Sequence, residues 1–227
     1  MKVLVTGATG YLGRKLIPAL IKEGHKVRAF VRSTSNTSGL SADIEIVKGD
    51  VLNYASLELA VEGMDVVIHL AAYFDFYPKD KDLLYQVNVE GVRNTMNACV
   101  GTSVQRFIYC SSTEAIGPVK YPPGNEDTEL NPSFDYGKSK VQAEQAIREI
   151  TNNTGMAHIV LRPTGIIGEG ETYVAFEAIQ AVNEGDIPAI PGDGEKTLMF
   201  TYVGDVVSGF VAALSGQSAL NKTIILC

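Results

Sequence analysis

The chain has 227 residues, 19 basic against 26 acidic side chains for a net charge of −7, and hydrophobic and charged shares of 45% and 20%. These proportions leave enough apolar mass for a sizeable core and exclude collagen-like, low-complexity and disordered chains, while an acidic balance without a Lys/Arg cluster argues against nucleic acid or anionic lipid as partners. No apolar run nears the roughly 18 residues of a membrane span, because the most apolar stretch, Val66 to Ala72, is broken by His69.

Short apolar runs alternate with segments of helical period, the pattern of βαβ units and a parallel sheet. Met1 to Gly7 lacks the long apolar region of a signal peptide and reads as a strand entering a glycine turn, so a cytoplasmic protein is expected. Strands are expected at Lys2 to Val5, Lys26 to Val31, Ile44 to Val47, Val66 to Leu70, Arg106 to Cys110, His158 to Leu161 and Lys222 to Leu226. Helices are expected at Tyr11 to Glu23, where Leu12, Leu16, Ile17 and Leu20 share a face, near Ala55 to Val61, and at Leu83 to Val100, Tyr136 to Asn152 and Thr172 to Asn183. Gly117 to Pro132 holds four prolines and two glycines and must be a loop, and Ser33 to Ser41 is a second, polar one. Cys99, Cys110 and Cys227 lack CxxC spacing, so neither a disulfide nor a metal site is expected.

Between the first strand and the first helix stands Gly7-Ala8-Thr9-Gly10-Tyr11-Leu12-Gly13. Glycines in such a turn let the backbone approach a pyrophosphate, and the helix N-terminus adds favourable charge, so a dinucleotide is the expected ligand. Tyr136 and Lys140 are four apart in a helical segment and emerge on one face. An ammonium beside a phenol favours phenolate, so Lys140 is expected to lower Tyr136 toward a working general acid or base. His25, His69 and His158 pair with no nucleophile pattern; a satisfied strand histidine is the expectation for His69.

Thr6 to Gly13 resembles the glycine motif of the extended short-chain dehydrogenase/reductase superfamily, which includes sugar-nucleotide epimerases and dihydroflavonol-reductase-like enzymes. Further matches follow in family order: Gly49-Asp50-Val51, His69-Leu70-Ala71-Ala72, Asn88-Val89-Glu90-Gly91, Cys110-Ser111-Ser112-Thr113, Tyr136-Gly137-Lys138-Ser139-Lys140, Leu161-Arg162-Pro163-Thr164 and Phe200 to Asp205. The resemblance implies a Rossmann-type, doubly wound α/β fold with a seven-stranded parallel sheet and a small, incomplete C-terminal substrate-binding part. The expected division is a core of residues 1–165, an excursion over 166–196, and a return to the core over 197–227.

The resemblance further implies a catalytic set of Ser112, Tyr136 and Lys140, with Ser111 and Thr113 as competing hydroxyls. It implies dinucleotide contacts from Gly7, Thr9, Gly10, Tyr11, Leu12, Gly13, Asp50, Val51, Leu70, Ala71, Ala72, Asn88, Pro163 and Thr164, besides Tyr136 and Lys140. The bland alternatives are a helix cap for Asp50 and a surface role for Asn88. The second strand ends Val31-Arg32 where a carboxylate would select a free 2′-hydroxyl, as in NADPH-dependent members, so NADP(H) is favoured over NAD. Arg28 is expected to point away from that end.

Three functions stay open: a carbonyl reductase or alcohol dehydrogenase, favoured by the aromatic run Tyr73 to Tyr77; a sugar-nucleotide epimerase or dehydratase, for which Glu114 would serve as acid/base although Thr113 replaces the companion acid; and a dinucleotide sensor without turnover. The partner is a small-molecule substrate, and relatives commonly dimerise through the helices at Leu83 to Val100 and Tyr136 to Asn152, which makes a homodimer an expectation by analogy.

Overall fold

The β-branched runs of the chain pair side by side and all point the same way in the computed structural model, which describes residues 1–172, 174–186, 193–194 and 197–227. The strands are β1 (Lys2–Thr6), β2 (Lys26–Val31), β3 (Glu45–Lys48), β4 (Val66–His69), β5 (Arg106–Cys110), β6 (His158–Pro163), β7 (Gly165–Ile167), β8 (Phe200–Tyr202) and β9 (Lys222–Leu226). Seven form one parallel sheet in the order β3-β2-β1-β4-β5-β6-β9, and β7 pairs with β8 in a separate two-stranded parallel sheet. The chain winds outward from β1 to β3, then restarts at β4 on the other side of β1. A crevice therefore opens at the carboxyl ends of β1 and β4, where open α/β sheets bind ligands.

Alternation along β1 decides which face each residue serves. Val3 and Val5 pack with Leu16, Ile17 and Leu20 of α1 (Tyr11–Lys22). Leu4 faces the opposite layer, built from α2 (Tyr54–Val61), α4 (Gly91–Cys99) and α5 (Asp135–Thr154). On the first face α7 (Val203–Ala213) completes the layer through Phe210. Leu16 and Phe210 are wholly buried, and each such side chain contributes roughly 1.5–3 kcal/mol.

Two local features depart from the sequence expectation. The helix expected over Leu83 to Val100 is interrupted: α3 (Lys81–Tyr85), capped by Asp80 through its 2.9 Å bond from the Leu83 N–H, runs into a wide π turn at Gln86–Glu90 before α4 begins. Apolar period does not reveal one extra residue in a turn, and such turns often sit at functional sites. The helix expected from Thr172 is α6 (Val174–Glu184), and the excursion expected over 166–196 includes residues 173, 187–192, 195 and 196, which lie outside the described residues. From the loop 117–132, the Glu126 carboxylate accepts the Ile225 N–H of β9 at 2.9 Å.

Candidate active site

Gly7 has φ +66°, and a Cβ there would stand 2.7 Å from the Ala71 nitrogen and the Leu70 carbonyl carbon. The turn thus needs glycine both for its conformation and for its contact with the segment after β4. A Cβ at Gly13 would lie 2.5 Å from the Gly7 carbonyl oxygen, so that glycine serves the approach of α1 to the turn. Leu12 is buried in the core and anchors the helix start. No side chain caps α1 at Gly10, and its first turn holds no acidic residue. Uncapped N–H groups at the positive end of a helix, approached by a backbone with no Cβ in the way, fit the phosphates of a dinucleotide by charge and by shape.

Arg14 is fully engaged by backbone: its guanidinium donates to the carbonyls of Thr9 (3.0 Å), Ser38 (2.6 Å) and Asn36 (2.7 Å), strapping the polar loop to the glycine turn. Arg32, by contrast, is exposed just past β2; its carbonyl accepts the Ser35 N–H at 3.0 Å, while its guanidinium makes no hydrogen bond or ion pair among the described residues. Arg28 points elsewhere, to Glu45 (2.7 Å) and the carbonyls of Ala60 and Glu62. Asp50 lies just past β3 and accepts the Leu52 N–H at 2.9 Å. It does not cap α2, a role taken by Asn53. Val51 is buried in the core and touches the place where Gly91 lacks a side chain. The Ala71 N–H donates to Thr6 Oγ1 at 3.2 Å, which fixes the segment Leu70 to Ala72 beside the crevice.

Tyr136 and Lys140 are both buried on α5. Lys140 Nζ donates to the Cys110 carbonyl at 2.9 Å and stands 4.9 Å from the Tyr109 ring centre and 5.4 Å from that of Tyr136. Burial lowers the ammonium to about 8, opposed by Cys110 and Glu144. The expectation that Lys140 lowers the phenol is not met in this arrangement: burial, reinforced by Cys110 and Glu114, raises Tyr136 well above its ordinary value. The reason is the wall around it. Phe74 meets the Tyr136 ring edge-on at 4.9 Å, Phe76 stands at 6.4 Å, and Phe134 stacks on Phe76 at 4.9 Å.

Of the three competing hydroxyls, Ser111 Oγ donates to Glu144 at 2.6 Å and is buried, and Thr113 reaches the Pro163 carbonyl at 3.4 Å. Ser112 is half-buried and accepts the Glu114 N–H at 3.1 Å, capping the short turn Thr113–Ala115. That turn packs on the start of α5, since a Cβ at Gly137 would collide with the Glu114 carbonyl oxygen. Glu114 is half-buried, and burial raises its carboxyl. Thr164 Oγ1 lies 2.6 Å from Thr201 Oγ1, and the Thr164 N–H donates to Leu226, so the strand end at Pro163 is tied to β8 and β9.

Asn88 is 1% exposed rather than a surface residue. Within the π turn its side chain exchanges two bonds with the Tyr73 backbone (2.7 and 2.9 Å) and donates to Ser139 Oγ at 3.0 Å. It thereby ties the aromatic segment to α5. Sequence reasoning missed Ser139, whose place one residue before Lys140 was the available signal. It also missed Glu144, one helical turn beyond Lys140, which pairs with Arg162. His69 is wholly buried but not satisfied, since neither ring nitrogen makes a hydrogen bond of proper geometry; burial first, then the Lys140 charge, lowers it to about 3. Among the described residues no three His, Cys, Asp or Glu side chains gather as a metal site, and no helix is long and apolar enough to cross a membrane. An open cleft lined by Lys2, Lys26, Arg28 and Glu62 lies at the amino ends of β1 and β2 and holds neither the glycine turn nor Ser112, Tyr136 and Lys140.

Comparison with known proteins identifies the family. The chain is 30% identical over 221 residues to a 3-beta-hydroxysteroid dehydrogenase of Mycolicibacterium neoaurum, covering 93% of this chain and 60% of that protein. It is 33% identical over 224 residues to 3 beta-hydroxysteroid dehydrogenase type 7 of Mus musculus, covering 89% and 60%. The chain thus spans about three fifths of the length of these curated relatives. UDP-glucuronic acid 4-epimerase of Bacillus cereus, solved with UDP-glucuronic acid and NAD, matches with a TM-score of 0.88 at 28% identity over 100% of this chain and 77% of that one. The model of the NAD dependent epimerase/dehydratase family matches residues 3–226. A glycine turn shaped for a dinucleotide, a doubly wound parallel sheet and this match along nearly the whole chain place it in the NAD-dependent epimerase/dehydratase family, the extended branch of the short-chain dehydrogenases and reductases.

Proposed function

We propose that the chain is a NAD(P)-dependent oxidoreductase that interconverts an alcohol and a carbonyl, with NADPH favoured. The observation that carries this reading is the placement of Tyr136 and Lys140 on one buried helix face beside the Ser112 turn, under the rings of Phe74 and Phe76. The backbone of Gly7, Thr9, Gly10, Tyr11, Leu12 and Gly13 would hold the pyrophosphate. Asp50 and Val51 would meet the adenine half, while Leu70, Ala71, Ala72, Asn88, Pro163 and Thr164 would border the nicotinamide half. The absence of a carboxylate at Val31, with Arg32 exposed beside it, supports a 2′-phosphate.

When bound, the nicotinamide supplies the hydride chemistry. Ser112 holds the substrate oxygen through its hydroxyl. Burial keeps the Tyr136 phenol protonated near neutral pH, the state a general acid needs to hand a proton to that oxygen in the reducing direction. In the oxidising direction the same phenol must lose its proton, and the Lys140 ammonium one turn away stabilises the charge that develops. The aromatic wall suits an apolar alcohol or ketone. A 3β-hydroxysteroid is the first substrate to screen, given relatives with that activity.

A specific observation favours a second reading: the half-buried Glu114 carboxyl, raised by burial and close enough to raise Tyr136, suits a sugar-nucleotide epimerase with retained NAD. Parallel fluorescence titrations with NADPH and NADH, after a check for dinucleotide that co-purifies, separate the two. Exchangeable binding that prefers NADPH is expected, whereas tightly retained NAD would shift the reading to the epimerase.

A further inference from the structure

Three elements end at the active site, and behind it they meet at one carboxylate. Glu144, fully buried on α5, accepts Ser111 Oγ from β5's carboxyl end at 2.6 Å. It also takes a two-point clasp from Arg162 of β6, with Nε to Oε1 at 2.9 Å and Nη2 to Oε2 at 2.7 Å, while Arg148 lies at 3.5 Å on its more exposed side. Each partner adjoins a site residue. Ser111 precedes Ser112, Arg162 precedes Pro163 and Thr164, and Glu144 stands one turn after Lys140 and two after Tyr136.

A buried ion pair contributes little net stability, because desolvating two charges offsets most of their attraction. This one is placed where register between elements matters. We propose that Glu144 is a positioning residue: its carboxylate, joined to Ser111 and Arg162, sets where the Ser112 hydroxyl stands relative to Tyr136 and Lys140, and holds a negative charge one helical turn from the Lys140 ammonium. The inference rests on the catalytic reading of Tyr136, Lys140 and Ser112 given above.

The groups facing Lys140 define what that charge does. Tyr136 and Glu144 approach from α5, Cys110 and Tyr109 from β5, and His69 from β4. The imidazole is lowered to about 3 and is neutral over the working range. The Tyr109 and Tyr136 phenols and the Cys110 thiol are all raised by burial and stay uncharged near neutral pH. Glu144 is thus the anion of this group that supports the ammonium, alongside the dipole of the Cys110 carbonyl.

The test uses the full chain in six forms: unsubstituted, Ser111→Ala, Ser111→Thr, Glu144→Gln, Tyr136→Phe and, for assignment, Lys140→Met. Turnover is probed with NAD+ or NADP+ and a 3β-hydroxysteroid, dinucleotide affinity by fluorescence, and the Lys140 amine by NMR titration of lysines labelled at 13Cε, assigned by the signal lost in Lys140→Met. Ser111→Ala, which leaves the ion pair intact, is expected to lower kcat about tenfold or more with dinucleotide affinity within about twofold, and Ser111→Thr to restore it. Glu144→Gln is expected to lower the Lys140 midpoint by about half a pH unit or more, because the ammonium loses its supporting anion. Where Glu144→Gln does not fold, the kcat of Ser111→Ala and its recovery in Ser111→Thr decide.

Unchanged kcat in Ser111→Ala, or an unmoved Lys140 midpoint without Glu144, would reduce the cluster to a packing role and overturn the proposal. A fully active Tyr136→Phe would overturn the catalytic reading itself and is read independently. If the probe is not turned over, the Lys140 midpoint decides.

Discussion

Tyr136 keeps its proton because rings and strand surround it, so removing the hydroxyl should remove the proposed acid and little else. Tyr136→Phe is expected to lower turnover by about 100-fold or more while a fluorescence titration finds dinucleotide affinity nearly unchanged. Lys140 poses the opposite problem. Below pH 8 both folded and unfolded chains hold its proton, so the folded state bears the full cost of a buried ammonium. Between about 8 and 10.5 the unfolded chain binds the proton that the folded one has released, and stability rises with pH. Lys140→Met is therefore expected to gain on the order of 1–2 kcal/mol at pH 7, after allowing for the lost bond to Cys110, and to flatten that rise in denaturant unfolding followed against pH. For Arg32→Ala, NADPH should weaken relative to NADH by about tenfold, near 1.4 kcal/mol, and an unchanged ratio of Kd values would make Arg32 an ordinary surface charge. At this scale the Tyr136/Lys140 spacing was legible because it lies within one helix. Which serine is committed elsewhere was not, since Ser111 is claimed by Glu144, 33 residues further along the chain.

The π turn at Gln86–Glu90 shows how an element can carry a site that its period conceals. Asn88 turns inward there and ties the backbone of Tyr73 to Ser139. Asn88→Ala would leave those buried partners unmatched, at about 1–3 kcal/mol. It should also release the segment bearing Phe74 and Phe76, seen as faster amide exchange over residues 71–77 together with lower kcat. The seven strands of the main sheet were legible to within a residue or two at each end because β-branched runs and parallel burial coincide: β1 extends one residue further, to Thr6, and β3 shifts by one, to Glu45–Lys48; β7 and β8, three residues each, were too short to show a period. The wide turn was not legible, because an amphipathic stripe survives the insertion of one residue. The aromatic wall was half legible. Tyr73 to Tyr77 stood out as a run, but Phe134, which completes it, comes from the far side of the proline-rich loop.

For the molecule as a whole, the site draws on residues from Gly7 to Thr164 and is braced at its far side by β8 and β9. Motif order along the chain made the doubly wound architecture legible, since it needs only the sequence of strands and helices; the bracing of Thr164 by Thr201 and Leu226 required the sheet to be assembled. Among the described residues β9 is the last strand on its side of the seven-stranded sheet, and an unpaired strand edge can recruit further strands. Here the Ile225 N–H is occupied by Glu126, whose carboxyl that same bond holds below its usual range. The loop between Ser112 and Tyr136 is therefore also a tie to the outer side of β9. Glu126→Ala should leave dinucleotide affinity intact yet hasten the onset of light scattering on warming, and acid strong enough to protonate Glu126 should do the same to the unsubstituted protein. One carboxylate outside the candidate site thus joins the loop before α5 to the outer side of β9.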